Sequence, residues 1–299
     1  MRKFFYICWA LLCGAACLSA QAQPASVEHV MIIGVDGLGP AGIEGTQSPV
    51  LHALMQQGAH TFHARGVMPT SSSPNWASMI MGAGPEQHGV TSNEWEPEKF
   101  DIAPSTSGPT GIFPTVFGVL RQQRPTAKLA VVFDWDGFGR LIERGICDVF
   151  LNGNGEEDTA AKAAEVIAKE RPSLLFVHFD HVDHALHESG YCTAEYFGAV
   201  EKADKLLGGL LQAVDSAGME EKTIVLVTAD HGGRQKGHGG NSMAELEIPW
   251  IIKGPGVIPG KEITAPVNTF DTAATVAYLF GIVPPEVWIG KPVRSAFAP

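Results

Sequence analysis

Two short stretches of this chain carry more imidazole and carboxylate than a solvated surface calls for. In residues 178–187, HFDHVDHALH, four histidines and two aspartates fall within ten positions, and Asp183 stands four residues before His187. Carboxylate plus imidazole is the donor set of a borderline cation such as zinc. His178, His181 and His184 exceed what a three- or four-ligand site can use and are expected to be supporting or structural. Further on, Asp230-His231-Gly232-Gly233 is followed by Gly237-His238-Gly239-Gly240. Glycines on either side let the backbone bend so that both imidazoles can turn into one pocket; a merely flexible loop is the plainer alternative. A third carboxylate, Asp36, follows the apolar run VMIIGV, where taken alone it would be a turn residue. A nucleophile has its candidates in Pro69-Thr70-Ser71-Ser72-Ser73-Pro74-Asn75-Trp76, where hydroxyls and free N–H groups gather before a proline that can open a helix. Such a terminus suits an anionic phosphate, and helix capping by one serine is the ordinary alternative.

These clusters follow apolar runs. Val30 to Val35, Leu129 to Phe133, Leu174 to Phe179, Thr223 to Val227 and Pro249 to Ile252 are continuous and rich in Val, Ile and Leu, the pattern of strands buried on both faces. Helices are expected at Pro49 to Gly58, Pro74 to Met81, Pro114 to Gln123, Asp158 to Glu170, Thr193 to Ala217 and Asp271 to Phe280. Alternating strands and helices predict an α/β fold: a doubly wound, mostly parallel central sheet with helices on both faces. In such sheets ligands bind at the carboxyl ends of the strands, where Asp36, Asp183 and the Asp230-His231 pair would converge.

One motif points elsewhere. Gly37-x-Gly39-x-x-Gly42 after a strand has the spacing of a dinucleotide site. No helix is expected to open there, because residues 43–47 read as loop. Thr61, Phe62 and His63 stand where an acidic residue should bind ribose, so no nucleotide cofactor is expected.

The chain of 299 residues has 21 Lys+Arg against 32 Asp+Glu. Residues 1–22 read as a signal peptide: Arg2 and Lys3, an apolar run too short to span a bilayer, then the cleavage pattern Ala20-Gln21-Ala22. A lipid anchor at Cys17 is the alternative. Residues 23–299 are then one exported catalytic domain, periplasmic or secreted, with no transmembrane span. Their 19 basic against 32 acidic residues disfavour nucleic acid as the partner. Cys147 and Cys192 form a disulfide or stay as two free thiols, and spacing does not decide between them.

Five ordered motifs together resemble the alkaline phosphatase superfamily, in its type I phosphodiesterase/nucleotide pyrophosphatase branch. They are IIGVDGL at Asp36, PTSSSPNWASMIMGAGPEQHGV around Ser72, DHALHESG through Asp183, His187 and Gly190, TADHGG with Asp230 and His231, and GHGG with His238. IPWIIKGPGVIPG and NTFDTAATVAYLFG are also similar to the family. The resemblance implies an alkaline phosphatase-like fold and two Zn²⁺. One zinc is held by Asp36, Asp230 and His231 and touches the nucleophile Ser72; the other is held by Asp183, His187 and His238. It also implies Asn75 as an oxyanion donor and a phosphoserine intermediate. The substrate implied is a small phosphate ester such as a nucleotide, lipid head group or sugar phosphate, with diesters expected over monoesters. A phosphomonoesterase is the first alternative, with Arg140, Arg234 and Lys236 as candidate cations. A sulfatase, a phosphomutase and a non-catalytic zinc-binding relative are further alternatives. The first lacks its Cys-x-Pro-x-Arg precursor, the second its large inserted domain, and the third has no use for a nucleophile.

Overall fold

A computed structural model describes residues 27–298; the expected signal peptide and the alternative anchor at Cys17 lie outside the described residues. Eight strands form one sheet: β1 (His29–Val35), β2 (Ala59–Arg65), β3 (Leu129–Phe133), β4 (Val149–Asn152), β5 (Leu174–Phe179), β6 (Thr223–Thr228), β7 (Glu247–Lys253) and β8 (Lys261–Glu262). Their order across the sheet is β4-β3-β5-β1-β6-β7-β2-β8. β7 pairs antiparallel with both β6 and β2, and the other pairings are parallel, so the sheet is mostly parallel as the sequence predicts.

The central strands are the apolar runs. β3, β5 and β6 are buried at every position, since helices cover both faces and a side chain on either side leaves water. β2 was not legible as a strand. Its sequence AHTFHAR carries two histidines and an arginine and alternates between buried and exposed positions, and its regularity comes from pairing with β7.

Register fixes the geometry of the site. On β1, Gly34 lies opposite His178 of β5 and Thr228 of β6. Two residues beyond each lie Asp36, Asp180 and Asp230, so three carboxylates leave the sheet at one level. Gly34 also has a packing reason. A Cβ there would lie 2.5 Å from the Trp76 ring, so glycine lets the indole lie across β1 and reach Asp36.

Helices differ from expectation at three places near the site. The helix expected from Pro74 begins earlier, as Ser72–Met81, with Ser71 at its N-cap in extended conformation and making no side-chain cap bond. All ten residues are buried, so packing rather than a cap holds this helix. His181–Ser189 is helical although no helix was expected, and it places Asp183 and His187 one turn apart on the same face. A one-turn helix, Pro40–Glu44, does open after Gly39, contrary to the expected loop, because Pro40 fixes the φ its first turn needs.

Cys147 and Cys192 are free thiols, the first half-buried and the second exposed. No helix among the described residues is long and apolar enough to cross a membrane.

Candidate metal and nucleophile site

At the carboxyl ends of β1 and β6, three predicted residues meet in full burial. His231 Nε2 lies 3.3 Å from Asp36 Oδ1 and 3.1 Å from Asp230 Oδ2. The Ser72 hydroxyl, at the first residue of its helix, is 3.3 Å from the same nitrogen. A second group forms beside it. His187 Nε2 is 3.2 Å from Asp183 Oδ2 and 3.1 Å from His238 Nε2, while His238 Nε2 is 3.7 Å from Asp183 Oδ1. The His231 and His238 rings stack with centroids 3.7 Å apart, which joins the two groups. The six expected metal ligands and Ser72 therefore converge.

The donor set passes a test for bound cations. Around a tetrahedral zinc with bonds of about 2.0–2.1 Å, donor atoms stand roughly 3.3 Å apart, close to the separations here. Asp36 Oδ1, Asp230 Oδ2 and Asp183 Oδ1 are buried without a hydrogen-bond partner, and each belongs to a cluster of acid and histidine atoms able to hold a metal ion. Buried carboxylate oxygens rarely go unpaired. The other atom of each buried aspartate in the first group is anchored: Asp36 Oδ2 accepts from Trp76 Nε1 at 2.9 Å and lies 3.2 Å from His178 Nε2, and Asp230 Oδ1 accepts the Gly37 N–H at 3.1 Å. Each histidine donates Nδ1–H to a backbone carbonyl, His231 to Gly232, His187 to Lys236 and His238 to Thr70, which leaves Nε2 facing the cluster.

Electrostatics agree. Burial, reinforced by the Asp36 charge, pushes the Asp230 carboxyl well above the usual range. For Asp36 burial acts in the same direction, but the His178 and His231 imidazoles beside it outweigh burial and hold the group well below. Burial would lower His231, yet Asp230 and Asp36 raise it to about 10. Carboxylates packed this closely demand positive charge, whether protons or cations.

His178 is the supporting residue that its sequence position allowed. It is buried, stacked on Phe138, and lies between Asp36 and Asp134, whose Oδ1 is 3.5 Å from Nδ1. His181 bonds the Ala199 carbonyl and the exposed His184 pairs with Glu188, so both are structural.

Asn75, expected as an oxyanion donor, faces instead into its own loop. Its carboxamide is buried and bound to the loop before the helix: Nδ2 faces the carbonyls of Val67, Pro69 and Ser71, and Oδ1 accepts the Val67 N–H at 2.6 Å. No donor remains for a substrate oxygen. The asparagine at the helix N-terminus is Asn93, which the sequence reading missed; its Oδ1 accepts the Ser73 N–H at 2.8 Å, one residue from Ser72. It stands 20 positions from that serine in sequence, with nothing local to link them. Ser73 Oγ is buried without a partner and caps nothing.

The candidate cations are mostly committed. Arg140 pairs with Glu96 at 2.6 Å and donates to the Asn93 carbonyl, and Lys236 donates to the Glu188 carbonyl. The glycine motif near Asp36 is filled by protein: a Cβ on Gly39 would lie 2.0 Å from the Tyr191 hydroxyl oxygen, and Tyr196 Oη bonds the Gly37 carbonyl.

Fold and site together define an alkaline phosphatase-like α/β protein with an acid and histidine cluster able to hold metal. An alkaline phosphatase variant superposes with a TM-score of 0.77 at 12% identity, covering 91% of this chain and 99% of the other. Mouse ectonucleotide pyrophosphatase/phosphodiesterase 5, as an inactive variant in complex with AMP, gives 0.75 at 16% identity over 91% and 100%. Residues 30–238 match the family model for type I phosphodiesterase / nucleotide pyrophosphatase, and the chain belongs to that family. Among curated relatives, venom phosphodiesterase 2 of Crotalus adamanteus is 25% identical over 231 residues, 72% of this chain and 28% of the relative. The chain thus spans little more than a quarter of that relative's length.

Proposed function

We propose that this chain is an exported two-zinc phosphodiesterase that cleaves small phosphate esters through a covalent intermediate on Ser72. The observation that carries the reading is the Ser72 hydroxyl, 3.3 Å from His231 Nε2 and beside the partnerless oxygens of Asp36 and Asp230. Asp36, Asp230, His231 and Ser72 would hold one ion, and Asp183, His187 and His238 the other. Bound there, zinc supplies Lewis acidity at the serine hydroxyl and at the leaving oxygen.

The chain's own residues account for the rest. Ser72 Oγ attacks phosphorus as the bond to the leaving oxygen breaks, and the phosphoryl group passes to Ser72. Water then attacks phosphorus from the opposite side and restores the hydroxyl. With Oδ1 fixed by the Ser73 N–H, the Asn93 amide supplies the donor for a phosphoryl oxygen, the role first expected of Asn75. His231 keeps its ring orientation through Gly232.

Diester specificity follows from charge. A monoester brings an additional negative charge that needs a free cation, while Arg140 is held by Glu96 and Lys236 by a carbonyl. Arg234, on the loop between His231 and His238, is the remaining candidate, so a monoester preference abolished by Arg234→Ala would reverse this assignment.

The test uses zinc-loaded protein and bis-(p-nitrophenyl) phosphate. Acid quenching during turnover followed by peptide mass spectrometry should find a p-nitrophenyl phosphoryl group on Ser72, and Ser72→Ala should retain both zinc ions with nearly all turnover lost. That adduct on Ser71 or Ser73, or a chelator-insensitive rate, would overturn it.

A further inference from the structure

We propose that Thr70 is the positioning residue that sets His238, and with it the second acid and histidine group, at its distance from Ser72. The proposal rests on the function above. Thr70 is fully buried. Its hydroxyl is used twice on the segment just after His238, accepting the Gly239 N–H at 3.0 Å and donating to the Gly240 carbonyl at 2.9 Å. Its own carbonyl accepts Nδ1–H of His238 at 2.9 Å, the bond that turns Nε2 toward Asp183 and His187. One residue therefore fixes both the backbone behind His238 and the rotation of its ring.

The same residue lies two positions before Ser72, where the buried helix begins. The two segments are 168 positions apart. The contact is close: a Cβ on Gly239 would meet Ser71 Oγ at 3.3 Å. Glu245 holds the loop from its other side, accepting the Gly240 N–H at 2.8 Å, but it lies downstream on the same segment and does not tie it to the nucleophile. Loss of the Thr70 hydroxyl would free the Gly239 N–H and the Gly240 carbonyl and let His238 drift from its partners. Partners that orient a metal ligand are typically worth about 10–100-fold in metal affinity.

The experiment titrates zinc into full-length mature protein across a series of zinc buffers and counts bound zinc by elemental analysis after equilibrium dialysis. Thr70→Val keeps the shape of the side chain and removes the hydroxyl. It should bind one zinc as the wild type does and the second about 30-fold more weakly, while Thr70→Ser should stay within about threefold of wild type. Because Thr70 acts through His238, adding Thr70→Val to His238→Ala should change zinc binding by less than about twofold. Near-UV circular dichroism checks folding, and Thr70→Ala replaces the valine variant if that one does not fold. Two zinc ions at wild-type affinity in the hydroxyl-free variant would overturn the proposal, as would equal weakening in Thr70→Ser or additive effects in the double variant. Wild-type protein that binds no zinc would overturn the proposed function itself, a result read from a separate arm.

Discussion

Trp76→Phe separates a ligand-holding role from a packing role. The substitution keeps an aromatic ring but removes the Nε1–H that donates to Asp36 Oδ2 at 2.9 Å, leaving His178 as the remaining donor to that oxygen. A hydrogen bond to a charged group contributes about 1.5–3 kcal/mol. Losing a partner that orients a metal ligand weakens binding about 10–100-fold, or about 1.4–2.7 kcal/mol. Both ranges centre near 2 kcal/mol, about a 30-fold weaker first zinc. The indole is also buried against Gly34, Phe138 and Phe176, so the smaller ring leaves a void that costs on the order of 1–2 kcal/mol with or without metal. Denaturant unfolding of each protein, with chelator and with saturating buffered zinc, isolates the ligand term. The zinc-dependent gain in stability follows RT ln(1 + [Zn]/Kd), so the variant's gain should be smaller by about 2 kcal/mol while the void cancels. An equal zinc-dependent gain in both proteins would refute the claim that Trp76 acts through Asp36.

Asn93→Ala should lower kcat by about 10²–10³-fold with zinc content unchanged and a stability loss of only about 1 kcal/mol from the freed Ser73 N–H, whereas Asn75→Ala should cost on the order of 3 kcal/mol of stability by stranding the carbonyls and N–H it binds; the reverse pattern in kinetics and thermal melts would return the oxyanion role to Asn75. His88 is buried with Nδ1 accepting the Val90 N–H and Nε2 bonded to Ser78, and burial pushes it down to about 3. Its folded pKa lies below the unfolded value of about 6.5, so its contribution is full above that pH and is lost as pH falls toward 3; at pH 4.5 the loss is on the order of 3 kcal/mol. In urea unfolding of apo protein, His88→Gln should remove that part of the pH dependence, and parallel curves for the two proteins would contradict it. Gly39→Ala should destabilise by roughly 1–3 kcal/mol by driving the Tyr191 hydroxyl away, with partial rescue by Tyr191→Phe in thermal melts and no binding of NADH in either background.

The sequence by itself determined the family, the acid and histidine clusters and the central strands. Runs such as LLFVHF and TIVLVT have one stable home, a strand covered on both faces, and the acid and histidine clusters directly after them had to emerge at the sheet's edge. Those are local properties, since period and composition follow from neighbouring residues. Tertiary structure decided what depends on distant partners. β2 is a strand because β7 pairs with it, although its own residues do not favour one. Ser72 begins its helix two residues before the proline because burial of the whole helix, not a capping bond, sets its start. Asn75 binds its own loop and Asn93 reaches the Ser73 N–H for the same reason: a side-chain amide binds whichever groups the fold brings within reach, and spacing along the chain does not fix that distance. The Asp36, Asp180 and Asp230 carboxylates leave the sheet at one level because β1, β5 and β6 share a register. Backbone pairing between residues more than 140 positions apart sets that register, and no single stretch of the sequence contains it.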